Sequence, residues 1–312
     1  MSSDGDNNNI STPVAVASCV AMALSYVLIL YAPTVILRLP SPSSFSHFMI
    51  RRFICAAIST TASLLFTAFI LLPIKSWEAS VILGAFGIRK DHLWQGVVYP
   101  LLLTSLIYAG SLVLNLVSLI ESCKESGGGF SKVLTFVQAI PACILMCASD
   151  VSFLRNLVVA PLTEELVFRA CMVPLLLCAG FRSYSAIFLC PILFSLAHLN
   201  HFRETYIRHN RSYIKASLIV GLQLGYTVVF GAFASFLFIR TGHLAAPLFA
   251  HIFCNYMGLP VVIHSRGKGL VSLAALVGVI GFVTLLFPLT EPLMYNDRTN
   301  NCPCWLAYCL WN

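Results

Sequence analysis

Charge is what this sequence has least of. Of its 312 residues only 10% are Asp, Glu, Lys or Arg and 58% are hydrophobic, whereas a soluble domain carries about a quarter charged residues. A water-soluble globule is excluded, and so are a disordered chain, a collagen and a coiled coil. Several catalytic signatures are missing as well. There is no His-Glu-x-x-His, which leaves a zincin unsupported, and neither Ser111 nor Ser195 stands in a Gly-x-Ser-x-Gly context. No Asp falls inside an apolar run, which removes an intramembrane aspartyl dyad. No Lys or Arg precedes the first apolar run, at 14–36, and that run is too long for a cleaved leader, so it reads as a retained anchor. Internal repeats are not found. The formal charge of +7 comes from 19 Lys and Arg against 12 Asp and Glu, but the cations are scattered between apolar runs. That is the pattern of loops near anionic lipid, and no nucleic-acid partner is expected.

What is present is apolar sequence in helix-length stretches. Crossing roughly 30 Å of hydrocarbon takes about 20 helical residues, and runs of that length occur at 14–36, 53–72, 97–120, 214–239, 244–263 and 270–289. Three shorter segments, 133–148, 154–178 and 185–199, are interrupted by Pro161, Pro174, Pro191 and ionisable residues, as helices broken around a cavity are. The expected fold is all-α, a polytopic transmembrane bundle of about eight helices around a polar cavity. One integral domain is expected over 1–312, with amino-terminal helices to 150, a motif region at 151–260, a final helix at 261–297 and a Cys-containing tail at 298–312. Arg38, Arg51 and Arg52 follow the first run, so the amino terminus is placed away from the cytosol. The connection 201–215 is the most basic. Of the 12 cysteines, those in apolar runs act as small hydrophobes. Cys302, Cys304 and Cys309 read as thiols of the tail, and the prenylation-box outline of the last four residues is treated as coincidence.

The acids decide where chemistry is possible. Ten of the 12 fall in tails or connections; Glu164 and Glu165 alone lie within an apolar segment, with Arg169 close behind. Facing lipid, these three charges would cost on the order of 7 to 10 kcal/mol on insertion scales, which neighbouring Leu, Val and Phe do not offset. They must face the bundle interior or a water-filled cavity. Residues four apart share a helix face, so Glu165 and Arg169 can pair. Glu164 has Phe168 at that spacing, and it is therefore the carboxylate read as acting on water or substrate. His198 ends a short apolar segment, and His251 and Asn255 are four apart in another. A carboxylate base, a second proton carrier and two side-chain donors for an oxyanion are the inventory that hydrolysis of an acyl bond by activated water requires. A buried structural ion network is the alternative reading of the same charges, and a metal shared by His198, His201 and Glu164 is a lesser one.

Three stretches in order carry a resemblance: Pro161-Leu-Thr-Glu164-Glu165-Leu-Val-Phe-Arg169, then Phe194-Ser-Leu-Ala-His198, then His251-Ile-Phe-Cys-Asn255-Tyr-Met-Gly258. The sequence resembles the ABI or CPBP family of intramembrane endopeptidases, and its type II CAAX prenyl endopeptidase branch in particular. The resemblance implies a glutamate-type protease of the endoplasmic reticulum membrane that removes the last three residues of farnesylated or geranylgeranylated CAAX proteins, such as Ras- and Rho-type small GTPases. By matching position it implies that Glu164 and His198 activate water, that His251 and Asn255 hold the oxyanion, and that Glu165 and Arg169 support them. The bilayer and prenylated proteins are the implied partners. No cofactor is expected, and metal dependence is left open. A transporter using the polar cluster as a relay is the competing class, although the staggered ionisable groups and inverted repeats of transporters are missing. A scaffold for prenylated proteins that has lost catalysis is the third.

Overall fold

The computed structural model describes residues 10–71, 79–125, 150–197, 199, 202–208, 212–262 and 268–295. Within them all regular secondary structure is helical. The chain runs through α1 (Thr12–Leu28), α2 (Phe45–Leu71), α3 (Ala79–Ala85), α4 (Leu93–Ile107) and α5 (Ala109–Glu125). Then come α6 (151–178), α7 (Ser183–Ala197), α8 (Phe202–Arg208), α9 (Tyr213–Thr241), α10 (Ala245–Met257) and α11 (Lys268–Leu285). Expected features at 133–148 and in the tail after 298 lie outside the described residues.

Local chemistry accounts for many of these boundaries. Pro13 occupies the first turn of α1, where its missing N–H is harmless. Asp150 caps α6 by accepting from the Ser152 N–H at 2.8 Å. Ser212 caps α9, which ends on Gly242 at φ 64°, a left-handed conformation that glycine adopts without strain.

α6 is not a uniform helix. Arg155–Val159 and Leu166–Cys171 are π turns, and the α turn Ala160–Glu165 lies between them. Each π turn lies just ahead of a proline. Pro161 cannot donate to the carbonyl of Leu157, nor Pro174 to that of Ala170, so the ladder widens where those acceptors are released.

Three helices among the described residues are long and apolar enough to cross a membrane by themselves: Thr12–Val35, Phe45–Phe69 and Tyr213–Thr241. The expected span at 97–120 is broken near its middle. Leu93–Ile107 and Ala109–Ser122 are two helices bent 78° apart. The expected spans at 244–263 and 270–289 are also shorter as helices, Ala245–Met257 and Lys268–Leu285. The basic connection 201–215 contains the short helix α8.

The chain divides into two compact units. The first comprises 1–93, 162–248 and 292–312. Its core is assembled from α1, α6, α7 and α9, with Cys19, Met22, Val167, Phe168, Met172, Leu176, Phe194 and Phe238 buried together. Its outer helix faces keep large apolar groups exposed, among them Leu24, Leu28, Ile54, Leu222 and Val229, as lipid-facing surfaces do. This is a membrane protein.

The second unit comprises 94–161 and 249–291. There α5 packs along α11, and small residues set the approach. A Cβ at Gly110 would lie 2.4 Å from the Val261 carbonyl oxygen, so only glycine fits. The bend at Tyr108 has its own seal. The Tyr108 hydroxyl donates to the Gly258 carbonyl at 2.6 Å, and the Val261 N–H donates to Ser111 Oγ at 2.8 Å. The kink thus seats the non-helical segment that follows α10.

Candidate active site

In the first unit, Glu165 and Arg169 are both fully buried. They sit one turn apart on α6, and Arg169 Nη1 donates to Glu165 Oε1 at 2.9 Å. The guanidinium does more than close that pair. Its Nη2 donates to the Gly231 carbonyl on α9 at 3.4 Å, and its Cζ lies 5.1 Å from the centre of the Phe194 ring on α7. Three elements thus meet on one fully buried cation, with a carboxylate, a carbonyl dipole and a ring face compensating it. Gly231 permits this approach, since a Cβ there would lie 2.8 Å from Pro191 Cβ and 3.2 Å from Arg169 Nη2.

Glu164 shares the same α turn but is only half-buried. Its neighbour Thr163 is buried, and the Thr163 hydroxyl is 2.8 Å from the hydroxyl of Tyr26 on α1. The Tyr26 ring also stands edge-on to Phe168 at 5.7 Å, and Phe168 in turn packs against Phe194 at 4.9 Å. α1 therefore touches the motif helix on both sides of Glu164. Nothing in the sequence pattern flags Tyr26, because it lies 137 residues from its partner in an otherwise apolar run.

His198 lies outside the described residues. In the second unit, α10 carries His251, which is buried, and Asn255, which is exposed. The Asn255 Nδ2 donates to the main-chain carbonyl of Asn156 at 2.8 Å, within the first π turn of α6. One amide hydrogen is thus engaged and the other remains for a further acceptor. Phe253, between them, stands edge-on to Tyr108 at 5.5 Å and fixes the rotation of α10.

A second charged cluster of the first unit lies outside the spanning helices. Arg89 Nε is 3.1 Å from Asp91 Oδ1, and the joint between α9 and α10 places His243 near them. Burial, and then the Arg89 charge, push the His243 imidazole down to about 4. Burial alone would raise the Asp91 carboxyl, but the Arg89 hydrogen bond and charge outweigh it and hold the group below its usual range. Among the described residues there is no group of three or more His, Cys, Asp or Glu placed to hold a metal.

Residues 148–257, which contain all six motif positions, match the family described as Type II CAAX prenyl endopeptidase Rce1-like. Over its whole length the chain is 76% identical to CAAX prenyl protease 2 of Arabidopsis thaliana, with 100% of each chain covered. It belongs to the CAAX prenyl protease 2 family. The Homo sapiens CAAX prenyl protease 2 is 37% identical across 91% of this chain and 83% of its own length. That of Caenorhabditis elegans is 31% identical across 76% of this chain and 84% of its own. No solved structure matches the chain. As a member of the CAAX prenyl protease 2 family, the chain is a membrane-embedded hydrolase of peptide bonds.

Proposed function

We propose that the chain removes the carboxy-terminal tripeptide from farnesylated or geranylgeranylated CAAX proteins, including Ras- and Rho-type small GTPases, in the endoplasmic reticulum membrane. Water is the nucleophile. Glu164, with His198, takes its proton as it attacks the scissile carbonyl, and His251 and Asn255 donate to the oxyanion that forms. The proton is then delivered to the departing amine, which leaves as the free tripeptide. Glu165 and Arg169 hold the α6 turn that presents Glu164. A prenyl chain partitions into lipid by about 0.8 kcal/mol per buried CH₂, so the bilayer concentrates the substrate beside an enzyme that shares it.

The observation that carries the reading is the division of labour between adjacent acids. Glu165 is sealed against Arg169, whereas Glu164, one residue away, keeps part of its surface accessible. The test is release of the tripeptide from a prenylated CAAX peptide by membranes holding the full chain. Glu164→Ala and His198→Ala should each abolish release while the protein still accumulates. Wild-type turnover in either variant would overturn the assignment.

A further inference from the structure

The α turn that carries Glu164 is only six residues long and has a π turn on each side. So short a turn, bounded by widened ladders, has little rigidity of its own, and its orientation depends on tertiary contacts. α1 supplies two. The Tyr26 hydroxyl meets Thr163 Oγ1 at 2.8 Å, immediately before Glu164, and the Tyr26 ring packs on Phe168, one turn after it. The bond is largely shielded from water, since Thr163 is 8% exposed. Tyr26 also lies outside the residues 148–257 that match the family.

We propose that Tyr26 is a positioning residue for catalysis, which orients the Glu164 carboxylate by anchoring Thr163 through the hydroxyl–hydroxyl bond. The inference rests on Glu164 being the base. A phenol that served packing alone would need only its ring, and the ring contact with Phe168 survives in phenylalanine. The hydroxyl is the part that reaches the motif turn, where it meets the residue immediately before Glu164. Its removal should disturb the ionised form of Glu164 more than the fold.

The experiment uses the full chain in membranes, with tripeptide release from a farnesylated CAAX peptide read as kcat and KM across pH. Tyr26→Phe should lower kcat roughly tenfold, about the worth of one buried hydrogen bond, with KM unchanged. The acid limb of its kcat/KM profile should move to higher pH. Thr163→Val should reproduce both effects, Thr163→Ser should restore them, and the double variant should be no worse than Thr163→Val alone, because the Tyr26–Thr163 bond is already lost there. Thr163→Val also reads that bond from the other side should Tyr26→Phe fail to accumulate. An unchanged kcat and acid limb in either folded variant, or losses that multiply in the double one, overturns the proposal. Glu164→Gln separates the two levels. If it is inactive while Tyr26→Phe is normal, only the role of Tyr26 falls; if it is fully active, the base assignment falls and the role of Tyr26 with it.

Discussion

Truncating Arg169 to alanine would strand a fully buried carboxylate at Glu165 and open a void where the guanidinium lay between α6, α7 and α9. Breaking a buried pair from one side costs about 3 to 5 kcal/mol, so Arg169→Ala should yield little folded protein in detergent by size-exclusion chromatography. Arg169→Lys should recover only part of that yield, since a single ammonium cannot reach Glu165 and the Gly231 carbonyl in the same geometry. The proposed oxyanion donors should behave in the opposite way. Asn255→Ala or His251→Ala should lower kcat roughly 10²- to 10³-fold with near-normal accumulation. Part of this site was legible in the residues themselves. Glu165 and Arg169 share a helix, and a spacing of four is a local property of the chain. The carbonyl of Gly231 is 62 residues from the cation it accepts from, and Tyr26 is 137 residues from Thr163; no periodicity links positions so far apart.

Helices were legible where a single apolar run is also a single straight element. The runs at 14–36, 53–72 and 214–239 fall largely on the three helices long and apolar enough to cross a membrane by themselves. The run at 97–120 is equally apolar, yet it bends by 78°. A distant segment clasps the break, since the Tyr108 hydroxyl donates to the Gly258 carbonyl and the Val261 N–H donates to Ser111 just after it. Composition reports what an element buries and is silent on what it must bend around. Two outcomes follow for these elements. Ser111→Ala should raise hydrogen exchange at the Val261 N–H, which loses its 2.8 Å acceptor. Gly278→Leu should prevent α11 from seating on α4 and α5, because even a Cβ would lie 2.1 Å from the Leu106 carbonyl oxygen. Loss of the thermally stable fraction in detergent would register it.

The whole molecule should respond to acid through the cluster outside its spans. The unfolded chain binds a proton on His243 near the ordinary value of 6.5, while the folded chain resists it down to about 4. Stability is therefore fully present above pH 6.5 and declines as the pH falls toward 4. Asp91 adds in the same direction at lower pH, because its folded-state carboxyl is held below its usual range. The melting temperature in detergent should fall across that window, and His243→Asn should flatten the fall. The kink at Tyr108 has a consequence for biosynthesis. Its hydroxyl acceptor is 150 residues further along the chain, which at ribosomal speeds of about 5 to 20 residues per second is a wait of roughly 8 to 30 s. During that interval the bent pair α4 and α5 is already synthesised, but the carbonyl that clasps its break is not.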